Sequence, residues 1–86
     1  MTDDPETRAM LAATDGRWAR WCVLGRKRDD GSYMLAGSFP ELDFAISQAK
    51  HLARVRGRVC GAFIVFDPVE RHVCGVVSAV APEETD

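Results

Sequence analysis

Cysteine, histidine and arginine are the residues of this 86-residue chain whose types and spacing bear on chemistry. His72-x-Cys74 sets an imidazole and a thiol two residues apart, on one side of any strand that holds them. In the simplest hairpin register Cys60 joins that side. Metal sites usually announce themselves by paired C-x-x-C or H-x-x-x-H spacing, and neither occurs. The reading from sequence is therefore that no metal or cofactor is bound and that Cys22, Cys60 and Cys74 are small buried apolar residues. Their odd number suits reduced thiols in a reducing compartment.

A cysteine nucleophile needs a neighbouring base and a setting that favours thiolate. Trp21 and Val23 flank Cys22, while Cys60 and Cys74 each adjoin glycine and valine, which predicts inert thiols. His51 falls among helix surface residues, and no Ser/His/Asp set stands out by spacing. The pairs Asp29-Asp30 and Glu83-Glu84 lie in a turn and a tail, where solvated charge is the ordinary explanation. Gly57-Arg58-Val59-Cys60-Gly61 leads into a strand and so resembles no phosphate cradle. The expectation is a protein that is not an enzyme, with a small enzyme built across a dimer interface as the third alternative.

Arginine and lysine carry the second reading. Arg26, Lys27 and Arg28 form the densest basic cluster, and Arg54, Arg56 and Arg58 surround a helix end. Arg17 and Arg20 stand beside Trp18 and Trp21, side chains able to stack on bases. These residues define a nucleic-acid-binding alternative, although Asp29 and Asp30 follow the first cluster at once and oppose its field. The formal net charge of −2 hides an uneven distribution. A mildly basic body, residues 17–72, lies between an acidic N-terminal segment and an acidic C-terminal one.

The elements that must position these groups follow from periodicity. At 47% hydrophobic and 28% charged residues, the composition is that of an ordinary globular chain. The longest apolar runs, such as residues 62–66, are five residues, far short of the roughly 20 residues a membrane span needs. The acidic N-terminus does not resemble an export signal, so a cytoplasmic location with no membrane partner is expected. Residues 1–16 form an acidic segment with an optional short helix after Asp3 or Asp4, stopped by Gly16. Residues 17–80 read as one domain, and 81–86 as an acidic tail.

Within that domain, strands are predicted at Arg17–Gly25 and Ser32–Gly37, joined through Asp29-Asp30-Gly31. Ser38-Phe39-Pro40-Glu41 fits a capping box, and a helix runs from it to the stop at Gly57. Leu42, Ala45, Ile46, Ala49, Leu52 and Ala53 form its core face. Strands follow at Arg58–Phe66 and His72–Val80. The fold class is α+β: a four-stranded antiparallel sheet in ββαββ order, with one long helix on one face.

With Phe66 opposite His72, Cys60, Ala62, Ile64, Phe66, Cys74, Val76 and Val80 share one side of the second hairpin. Phe63, Val65, Val73, Val77 and Ala79 share the other. Both sides are apolar, and a single helix covers only one. The N-terminal segment, with Met10 and Leu11 as its only large apolar residues, looks too small to cover the second. A homodimer through that face, or another protein in its place, is the expectation. On the helix, Phe44, His51 and Val55 cluster away from the core face as a candidate interaction stripe. The leading functional reading is a small non-catalytic interaction or regulatory module of adaptor or inhibitor type.

Overall fold

The computed structural model describes residues 4–16 and 20–79. Two helices and four strands follow one another as α1 (Pro5–Thr14), β1 (Trp21–Lys27), β2 (Tyr33–Phe39), α2 (Leu42–Val55), β3 (Cys60–Asp67) and β4 (His72–Ser78). All neighbours in the sheet are antiparallel, in the order β2-β1-β3-β4. The α+β class and the ββαββ order are as the sequence predicts. The start of the first predicted strand, with Trp18, lies outside the described residues, as do Val80 and the acidic tail.

Side-chain alternation divides the central strands between two cores. Val23, Phe63 and Val65 point to α2 and pack with Ala45, Ala49 and Ala53. Cys22, Leu24, Ile64 and Phe66 point the other way and meet Met10 of α1. The N-terminal helix thus covers the second face over β1 and β2, more than its size led one to expect, but not over β4. The sheet supplies most of the apolar volume, so one deeply buried Met10, flanked by Leu11 and Ala13, is enough to seat it. Tyr33 Oη also donates to Glu6 Oε2 at 3.1 Å, fastening α1 to β2. The cover is partial: α1 packs on β2 and β1. Val73 and Val76 of β4 remain 40% and 59% exposed.

Three bulges alter the expected faces. The ladders make Ala36, Gly61 and Cys74 the extra residues of β2, β3 and β4. His72 pairs with Asp67 and Val73 with Phe66, one step away from the expected register. Cys60 and Cys74 consequently pack on the α2 side, while Val73 shares the side of Phe66. The two thiols stand about five to six residues apart along β3, roughly 18 Å.

The capping-box reading is corrected as well. Ser38 belongs to β2, where it pairs with Cys22. Glu41 is the N-cap of α2 and makes no side-chain cap bond. At fourteen residues α2 spans about 21 Å, shorter than expected. Gly25 is required by packing: a Cβ there would lie 2.7 Å from Cys60 Sγ and 3.0 Å from the Phe63 ring.

Candidate functional site

The helix α2 rests mainly on β3 and β1 and only lightly on β2. Between its C-terminal half and β2 this leaves a cavity of about 210 Å³. Met34 and Ala36 line one wall, Leu52 and Arg56 the other, with Val59 and Phe63 between them. Met34 and Val59 are 39% and 53% exposed at its rim. The rim is well supported. The Arg56 carbonyl accepts hydrogen bonds from the N–H groups of Val59 and Cys60, both at 3.1 Å. Arg28 Nε donates to the Gly57 carbonyl at 2.6 Å. The result is an apolar slot with a guanidinium-bearing residue in its wall and the exposed Arg54 and Arg58 nearby in sequence.

The predicted interaction stripe is exposed along the length of α2. Phe44 sits edge-on to Phe39, with centroids 5.1 Å apart. Val55 is eleven residues further along α2, about 17 Å away, beside the groove-lining Arg56. His51 lies exposed between them. Sequence reasoning missed Met34, Leu52 and Val59 as a site because the gap they line arises from where α2 rests on the sheet, over β3 and β1 more than over β2.

The basic residues divide by role. Arg26 and Lys27 flank a shallow depression beside Gly31 and Gly61. Arg28 is exposed as expected and lines the same depression, and its guanidinium also clamps the domain. Its Nε holds the Gly57 carbonyl, and its Nη2 donates to the Ala79 carbonyl at 2.9 Å. Trp21, a candidate stacking platform, packs against the α2-side core with the Arg20 guanidinium 4.1 Å from its ring centroid.

Burial pushes the Cys22 thiol up to about 11, with the Asp67 carboxylate adding to the effect. Burial also raises Cys60 and Cys74. In the absence of a neighbouring cation these environments disfavour thiolate, and Cys22 and Cys60 are buried while Cys74 is half-buried. Cys60 does not join His72 and Cys74 as the sequence pairing suggested. Asp67 does, and one ligand atom from each of Asp67, His72 and Cys74 lies within 4.8 Å of the others. The Asp67 carboxylate is buried, which would raise its pKa. Hydrogen bonds from Arg20 and from the Glu70 and Val69 N–H groups outweigh that and hold it below the usual range.

No helix among the described residues is long and apolar enough to cross a membrane. No family model, curated protein or solved structure matches the chain.

Proposed function

We propose that this chain is a small protein-interaction module whose groove between α2 and β2 takes a large apolar side chain with an acidic neighbour. One observation carries the reading: an apolar slot of about 210 Å³, open at a rim of exposed Met34 and Val59 and walled on one side by Arg56. Singly exposed apolar residues are ordinary, whereas a concave apolar site beside a cation is the form of a side-chain receptor. Both edge strands, β2 and β4, carry a bulge, which discourages pairing with a further strand. Binding through a pocket therefore has more support than extension of the sheet.

The homodimer and nucleic-acid readings lose part of their basis. The first rested on an uncovered face that α1 now partly covers, and the second counted Arg28 among its phosphate contacts.

The test is a panning of a random peptide library on the full chain. The expected winners share one large apolar residue with Asp or Glu within two positions. Val59→Asp should weaken the best peptide at least tenfold, and Arg56→Ala should weaken it less and remove its salt dependence. Peptides that lack such a motif, or that bind Val59→Asp equally well, would overturn the reading. Salt-steep binding to a mixed oligonucleotide pool, lost when Arg26 and Lys27 become alanine, would favour nucleic acid instead.

A further inference from the structure

We infer that Asp67, His72 and Cys74 form a binding site for a thiophilic divalent cation of the zinc class, at the end of the sheet away from the groove. The three ligand atoms lie within 4.8 Å of one another. Cys74 Sγ and His72 Nε2 are 3.7 Å apart. A tetrahedral zinc with bonds of about 2.3 Å to sulfur and 2.0–2.1 Å to nitrogen sets those atoms roughly 3.6 Å apart. The Cys74–His72 pair already stands at that spacing, and an Asp67 oxygen lies within 4.8 Å of both.

Local structure explains the convergence. Asp67 and His72 are paired across the β3–β4 ladder, so their side chains leave the sheet on one side. Cys74 is the bulge residue of β4, and a bulge re-aims the side chain it carries. The Asp67 carboxylate is fixed without any ion. Its Oδ1 accepts the N–H groups of Val69 at 3.0 Å and Glu70 at 3.2 Å, and also Arg20 Nη1. Such outer contacts orient a ligand and limit the entropy lost on binding.

The donor set selects the ion. One carboxylate, one imidazole and one thiolate suit zinc, whereas magnesium and calcium require six or more oxygens. Carboxylate and thiolate bring two negative charges to the divalent ion, and with Arg20 kept on Asp67 Oδ1 the loaded cluster carries a net charge of +1. His72 is exposed, so solvent reaches the site to supply a fourth ligand.

The experiment is a titration of the reduced full chain with cobalt(II), followed by displacement with zinc. A thiolate-to-cobalt charge-transfer band should appear and be bleached by zinc. Cys74→Ser should abolish the band, and Cys74→Ser and His72→Gln should each weaken zinc at least tenfold, with unchanged circular dichroism. Zinc should also slow alkylation of Cys74 at least tenfold, reversibly with chelator. Cys22 and Cys60 are buried and should react only on unfolding. Absence of the charge-transfer band, or zinc binding undiminished in either variant, would overturn the proposal.

Discussion

The two faces of the sheet are both apolar, yet they are covered in opposite ways. On one, α2 brings three alanines, Ala45, Ala49 and Ala53, against Val23, Phe63 and Val65, so a long helix approaches closely over the middle of the sheet. Leu42, Ile46 and Leu52 then wedge its flanks. On the other, α1 is four residues shorter and brings one large buried side chain, Met10, to a surface built by Leu24, Ile64 and Phe66. A sheet can thus supply the volume and let a weakly amphipathic helix serve as its lid. The α2 face is closed by the longer, more extensively packed helix, while the α1 face depends on a short one.

The sharpest way to break this contrast is a pair of cavities of equal chemistry. Phe63 and Phe66 are both fully buried, one on each face. Phe63→Ala should cost about 3–5 kcal/mol, because α2 and the sheet are too well tied to collapse on the void. Phe66→Ala should fall at the bottom of that range, because α1 can settle inward. Urea titration of both variants decides, and equal losses would mean that the two lids are equally rigid.

Met10→Ala probes the lid itself. The expected loss is about 2 kcal/mol, the low end for a buried methionine at a site able to relax. Hydrogen exchange should show α1 amides losing protection while those of α2 keep theirs. Uncovering Leu24 and Ile64 should also raise the solution mass above 9.5 kDa at micromolar concentration. A variant that unfolds as one unit would remove the distinction between the faces.

The same contrast separates what was legible in the sequence from what was not. The ββαββ order, the Asp30-Gly31 turn and the Leu42/Ala45/Ile46/Ala49 face follow from local periodicity and turn chemistry, and all are present. Gly31 has the expected left-handed φ of 74°, and Asp30 Oδ1 accepts the Ser32 N–H at 2.9 Å. Bulges carry no such local signature. A single extra residue at Gly61 or Cys74 reverses the sides of the residues before it relative to those after it, so strict alternation misplaced Cys60, Cys74 and Val73. The lid role of α1 was hidden because the apolar volume that holds it belongs to strands far along the chain. The groove and the Asp67–His72–Cys74 cluster are likewise products of tertiary placement. His72 and Cys74 were visible as a pair, but their third member sits across a turn.

The smallest expected effect comes from the ends of the two helices. Asp4 caps α1, its Oδ1 accepting the Thr7 N–H at 2.7 Å. That bond favours the ionised carboxylate and lowers its pKa from the ordinary 3.8. A carboxyl depressed in the folded state stabilises above its unfolded pKa, and the contribution fades as pH falls through the folded value. The N-cap of α2, Glu41, makes no side-chain cap bond, so the same loss does not arise there. Acidification below about pH 3.8 should therefore loosen the first turn of α1 while α2 holds. Amide exchange or chemical shifts of Thr7 and Met10 should report the change, and Asp4→Asn, which keeps an acceptor without a titrating group, should flatten it. Parallel loosening of α2, or an undiminished response in Asp4→Asn, would locate the acid sensitivity outside this cap and remove one physical difference between the two covers.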